Sequence, residues 1–170
     1  MPGEEVRPTP DKLRETLFDI LGPSVAGVVF LDAYAGTGAV GIEALSRGAR
    51  QAVFIEKDRK AANLIQSNLA SLGIEKRARV IVGSAVLHLG GIAADIVFVD
   101  PPYPKEREYQ AALDALAAEP TGLVVVQHSK RLELAEKYGA LLRTRTVRQG
   151  DNLLSFYRST ELPHPQSERE

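Results

Sequence analysis

Five short apolar runs set the architecture of this chain: Val28-Val29-Phe30-Leu31, Ala52-Val53-Phe54-Ile55, Val80-Ile81-Val82, Ile96-Val97-Phe98-Val99 and Leu123-Val124-Val125-Val126. The first four stop at Asp32, Glu56, Gly83-Ser84 and Asp100. The runs are continuous and rich in β-branched residues instead of alternating with polar ones. That is the pattern of strands covered on both faces, as in a parallel sheet. Helical patterns lie between them. Ala39 to Arg47 reads as a helix closed by Gly48. Asp58 can N-cap a helix through Leu64, Ile65 and Leu69 to Leu72, stopped by Gly73, and a third helical stretch covers Glu106 to Ala118. The reading is a doubly wound α/β sheet.

The two ends of the chain differ from this middle. About Leu141 to Arg148 and Leu153 to Tyr157 read as strands joined by Gln149-Gly150-Asp151-Asn152, which leaves no room for a helix. A hairpin closing one sheet edge is expected. At the front, Thr9 can cap a helix that has Pro10 at its first position and Leu13, Leu17, Ile20 and Leu21 on its apolar side. That helix is expected to cover an end or edge of the sheet. One domain over residues 1–160, including the 7–22 helix, and a frayed polar tail at 161–170 complete the organisation.

In such sheets ligands bind at the carboxyl ends of the strands, near the switch in strand order. Asp32, Glu56, Ser84 and Asp100 all fall there. The loop Asp32-Ala33-Tyr34-Ala35-Gly36-Thr37-Gly38 joins the first strand to its helix, and its glycines allow backbone to approach a ligand. Glu56 can accept both hydroxyls of a ribose. Gly36-Thr37-Gly38-Ala39-Val40-Gly41 also fits the dinucleotide pattern, so NAD competes with S-adenosylmethionine. Three features favour S-adenosylmethionine. Asp32 would repel a pyrophosphate but could receive a methionine ammonium, directly or through water. The strand ending at Asp100 leads into a corner suited to an amine. The terminal hairpin is foreign to the usual dinucleotide fold.

That corner is Asp100-Pro101-Pro102-Tyr103. Neither proline has an N–H to extend the ladder. What remains is a stiff turn with a carboxylate, open carbonyls and an aromatic ring, fit to grip a flat molecule bearing an exocyclic NH2. Adenine, guanine and glutamine amides all satisfy it.

Composition removes other chemistries. The chain has no cysteine, which excludes disulfides, thiolate metal sites and cysteine nucleophiles, and its three histidines show no metal-ligand spacing. With 44% apolar and 25% charged residues it should be globular. No apolar stretch reaches membrane-spanning length and no basic-apolar leader opens it, so a cytoplasmic protein is expected, with a monomer as the default. The net charge of −1 means that any nucleic acid must be held by a local patch. Lys105 and Arg107 beside the corner, with Arg143, Arg145 and Arg148 on the hairpin, are the candidates; Lys12 and Arg14 on the first helix are further ones.

Taken together, these residues resemble the RsmD family, the bacterial 16S rRNA guanine-N2 methyltransferases. The similarity runs over about residues 7 to 158. It rests on Arg7-Pro8-Thr9 followed by Asp11 to Glu15, on Asp32 to Gly38 with Gly41 to Ala49, on Glu56-Lys57-Asp58, and on Asp100 to Tyr103. The resemblance implies a Rossmann-like class I methyltransferase: a mostly parallel seven-stranded sheet, helices on both faces and a C-terminal antiparallel hairpin. It implies S-adenosylmethionine held by Asp32, Ala35, Gly36, Gly38, Glu56, Lys57 and Ser84, with Thr9 and Arg7 near the methionine end and no metal. It places the target guanine against Asp100, Pro101 and Tyr103, with Pro102 beside it, and 16S rRNA as the partner; the near-neutral charge and short N-terminus add the expectation of a small-subunit assembly particle. The chain departs from the family pattern in its short acidic start (Glu4, Glu5), in Ser84 where an aspartate is usual, and in Gln127 where a glutamate is expected.

Overall fold

A computed structural model describes residues 11–102, 105–119 and 122–160. Each apolar run becomes a strand: β1 (Val29–Asp32), β2 (Gln51–Glu56), β3 (Ala78–Val82), β4 (Ile96–Val99) and β5 (Leu123–Ser129). All five are parallel. The helices are α1 (Asp11–Leu21), α2 (Ala39–Ser46), α3 (Arg59–Ser71), α4 (Ala85–His88) and α5 (Glu106–Ala117). Asp58 caps α3 as its position predicts, accepting from the Ala61 N–H at 2.9 Å.

The end of the chain adds β6 (Lys137–Tyr138), β7 (Leu141–Gln149) and β8 (Asn152–Ser159). β8 enters the sheet antiparallel to β5, and β7 pairs outside it. The sheet order is β3-β2-β1-β4-β5-β8-β7-β6. It therefore has eight strands; the one added to the expected seven is the two-residue β6, held on the outer edge by Leu141 and Leu142. Two residues carry no periodicity, so a sequence cannot announce them.

Both faces are covered. Phe30, Phe54, Phe98, Val125 and Phe156 share one core with α1, α2 and α3. Leu31, Val53, Val97, Val124 and Tyr157 share the other with α5 and Tyr138. The pattern buries all four residues of β1 and of β4, which is why those runs do not alternate. α1 lies on a face, not at an edge or end as expected. Leu13, Leu17, Phe18 and Leu21 are buried against the Phe30 side of the sheet, and Thr16 donates to Gln149 Oε1 at 2.7 Å. The extra buried residue, Phe18, gives α1 a broader apolar stripe than an edge helix needs, and its ring stacks on Phe30. Among the described residues no helix is long and apolar enough to cross a membrane.

Candidate active site

The chain moves outward from β1 to β2 and β3, then returns to place β4 and β5 on the other side of β1. The switch point between β1 and β4 brings the ends of both strands together. There the Ala33 N–H donates to Phe98 O at 3.0 Å, extending the β1–β4 ladder into the glycine loop. The Ala35 N–H donates to Ile55 O at 2.9 Å, and the Gly36 N–H to Glu56 Oε1 at 2.7 Å. The loop is thus pinned to β4 on one side and β2 on the other. Glu56 also accepts from the Asp58 N–H at 2.9 Å. Each carboxylate oxygen keeps a second lone pair for a ribose hydroxyl.

Gly38 begins α2 in the left-handed region, at φ 83°. A side chain there would be strained, and its Cβ would lie 3.1 Å from Ile65. Gly41 has a different task. A Cβ on it would fall 2.3 Å from the Phe54 ring, so the missing side chain is what lets α2 lie against β2.

Asp32 is buried, and its Oδ2 accepts from the Gly41 N–H at 3.0 Å. Its observed partner is therefore the backbone of α2. Burial pushes its pKa up to about 8; the Gly41 N–H pulls the other way, and the negative charges of Asp100 and Glu56 add to the rise. Folded Asp32 holds a proton that the unfolded chain has released between about pH 4 and pH 8. Its contribution to stability therefore falls as pH rises through that window and levels off above it. Urea midpoints at pH 5 and pH 8 should show wild type losing on the order of 1 kcal/mol per pH unit at most, with the loss flattened in Asp32→Asn. Equal slopes in the two proteins would mean that folded Asp32 is already ionised.

Asp100 is half-buried and Pro101 buried, while Pro102 is exposed. Arg7, Thr9, Tyr103 and the 161–170 tail lie outside the described residues. Lys57, Lys105 and Arg107 are exposed, and Ser84 is partly so. Ser84 precedes α4, and its carbonyl lies 2.8 Å from His88 Nδ1. His128 is a core histidine: Nε2 sits 2.8 Å from Ser155 Oγ, and burial pushes its pKa down.

The hairpin arginines do not all gather at the corner. Arg143 is level with Val124 and Arg145 with Val125, in the middle of the sheet and three strands from β4. Arg143 donates to Leu134 O and lies 3.9 Å from Glu136, while Arg145 lies over the Phe156 ring. A different basic group crowns the carboxyl edge. β5 runs three residues past Val126, the partner of the last β4 residue, or about 10 Å. Lys130 and Arg131 follow it, and Arg148 arrives from β7. Lys130 lies 3.1 Å from Asp151, and together with Arg148 and Arg131 it holds that carboxyl below the usual range. Only Arg148 of this trio had been picked out in the sequence. Adjacent Lys130-Arg131 directly after a strand end was the available signal. Also missed was Tyr34, whose hydroxyl donates to Glu108 of α5 at 2.5 Å.

Five parallel strands with an antiparallel hairpin inserted beside β5, and a glycine loop at the β1–β4 switch, are the fold of class I S-adenosylmethionine-dependent methyltransferases. The family model described as "Conserved hypothetical protein 95" matches residues 1–158. The chain belongs to this RsmD-like family. "Putative rRNA methyltransferase YlbH" of Bacillus subtilis (strain 168) is 36% identical over 165 residues, 92% of this chain and 89% of that one. "Ribosomal RNA small subunit methyltransferase D" of Escherichia coli (strain K12) is 46% identical over 100 residues, 58% of this chain, and the match spans half the length of that relative. The solved structure "Putative methyltransferase yhhF from Escherichia coli" superposes with a TM-score of 0.81 at 32% identity, covering 92% of this chain and 91% of that one.

Proposed function

We propose that this protein transfers a methyl group from S-adenosylmethionine to the exocyclic N2 amine of a guanine in 16S rRNA. The observation that supports the reading is the joining of the glycine loop to the end of β4, next to the Asp100-Pro101 corner. The rRNA methyltransferases among its relatives point to the RNA class. The cradle suits the cofactor: a left-handed, side-chain-free turn at Gly36 and Gly38, and a carboxylate at the next strand end for a ribose. Asp32, Ala35, Gly36, Gly38, Glu56, Lys57 and Ser84 would hold it, Thr9 and Arg7 closing the methionine end. An ammonium near Asp32 would offset the neighbouring negative charges and favour its carboxylate.

Bound there, the cofactor supplies an electrophilic sulfonium methyl. The chain's own part is to prepare the nitrogen. Guanine N2 is a poor nucleophile because its lone pair is delocalised into the ring. The Asp100 carboxylate and the Pro101 carbonyl accept hydrogen bonds from its two N–H groups, which favours a pyramidal nitrogen and aims the lone pair. As the N–C bond forms the methyl–sulfur bond breaks, S-adenosylhomocysteine is the leaving group, and the nitrogen gives up one proton to bulk water. Tyr103 stacks on the base, worth about 1–3 kcal/mol, with Pro102 alongside. The base must be unstacked or flipped to reach the corner. Incubation with labelled S-adenosylmethionine and small ribosomal subunits from a strain lacking this gene tests the reading. Digestion should put the label in N2-methylguanosine of 16S rRNA; label in N6-methyladenosine or in protein would overturn it.

The net charge of −1 supports the reading of an assembling subunit, instead of naked RNA, as the substrate. Of the RNA footprint, Lys105 and Arg107 follow the corner in the chain, and Lys130, Arg131 and Arg148 lie along the carboxyl edge formed by β5 and β7. Arg143 and Arg145 are the weaker candidates, being mid-sheet. Reversing Lys130 and Arg148 to glutamate should weaken RNA binding and reduce its salt slope by roughly 1.5. An unchanged slope would remove them from the footprint.

A further inference from the structure

We propose that the Tyr34–Glu108 hydrogen bond sets the spacing between the methyl donor's cradle and the acceptor's corner, making both positioning residues. The inference rests on the methyl-transfer reading above. Tyr34 lies in the glycine loop, two residues after Asp32 and two before Gly36. The loop's backbone is already tied to β4 by Ala33, to β2 by Ala35, and to Glu56 by Gly36. The acceptor segment starts from the other side. It leaves β4 at Val99, turns through Asp100, Pro101 and Pro102, and enters α5 at Glu106. Glu108 is in the first turn of that helix. The next residue, Tyr109, is buried and donates its hydroxyl to Gln127 O at 3.1 Å, fixing the same turn to β5. The start of α5 is thus held from two directions, by β5 through Tyr109 and by the cofactor loop through Glu108.

Tyr34 Oη and Glu108 Oε2 are 2.5 Å apart, in the range of charge-assisted bonds, which are stronger and more directional than neutral ones. Burial and Glu108 itself push the Tyr34 hydroxyl far above its usual pKa, so the donor keeps its proton across the working pH range. The bond spans 74 residues of chain. It joins the two segments whose separation must be correct for a nitrogen to attack a methyl in line. Misplacement by about 1 Å can cost about 10²-fold in rate.

Tyr34→Phe keeps the ring and deletes only the donor. Its single-turnover rate on deficient subunits should fall between about tenfold and 10²-fold, with calorimetric affinity for S-adenosylhomocysteine unchanged. Glu108→Ala should match it, Glu108→Gln should restore most of the rate because the amide oxygen still accepts, and the double variant should be no worse than either single loss. Amide hydrogen exchange at residues 106–109 should quicken in Tyr34→Phe without any substrate. Wild-type rate in Tyr34→Phe, a loss confined to affinity, additive single effects, or unchanged exchange would each overturn the proposal. If wild type itself methylates nothing, the substrate reading fails, and the exchange measurement still judges the tie.

Discussion

Replacing Asp100 with alanine should lower the single-turnover rate of methyl transfer at least about 10²-fold while leaving S-adenosylhomocysteine affinity nearly intact. The two effects separate because of where the residue sits. Asp100 is one residue beyond Val99, the last residue of β4, where the β1–β4 ladder meets the glycine loop. The backbone N–H groups of Ala33, Ala35 and Gly36 donate to Phe98, Ile55 and Glu56, and none of these bonds uses the Asp100 side chain. What disappears is the carboxylate acceptor that would orient the amine and bear the positive charge growing on nitrogen. Asp100→Asn retains one accepting oxygen and should keep part of the rate. A purified Asp100→Ala protein with wild-type turnover would remove Asp100 from the chemistry.

Gly41→Ala should unfold the protein more easily than any other single-methyl change in the loop–helix unit. The added Cβ would lie 2.3 Å from Phe54 Cε2 and 2.7 Å from Cζ. Phe54 is wholly buried in the middle of the sheet and cannot swing aside. Either α2 must retreat from β2 or the ring must leave its rotamer, and overpacking of this kind costs about 3 kcal/mol. For a chain of this length that corresponds to a Tm loss of roughly 6–12 °C. Retreat of α2 also pulls the Gly41 N–H away from Asp32 Oδ2, so cofactor affinity should fall with stability. Gly90→Ala is the control, since a Cβ there meets nothing within 4 Å. Equal urea midpoints for the two variants would show that the α2–β2 approach is not tight.

These two residues were unequally visible beforehand. Asp100 announces itself, because a carboxylate followed by two prolines after a buried strand has few uses. Gly41 completed a glycine pattern, but a pattern cannot say which ring the helix must approach. The Lys130–Arg131–Arg148 group and the Tyr34–Glu108 bond belong to the same class of fact. Each depends on which strand ends share an edge, and that follows from the strand order, not from local residue type. Arg143 and Arg145 show the converse: a basic strand was legible, but its level in the sheet follows from the β7–β8 register, which sets both residues below the carboxyl edge.

Periodicity and local chemistry were enough to define the five parallel strands, the capped helix after Glu56, the terminal hairpin, and the placing of Asp32, Glu56, Ser84 and Asp100 at strand ends. Those are short-range properties: burial on both faces requires continuous apolar runs, and prolines end ladders wherever they occur. Only the tertiary structure decided that α1 lies on the face of the sheet, that Gly41 clears Phe54, that Asp32 is buried among groups that raise its pKa, and that Tyr34 reaches Glu108. Each of those depends on groups far apart in the chain meeting within a few ångströms, a distance fixed by packing and strand register and not by the local residues alone.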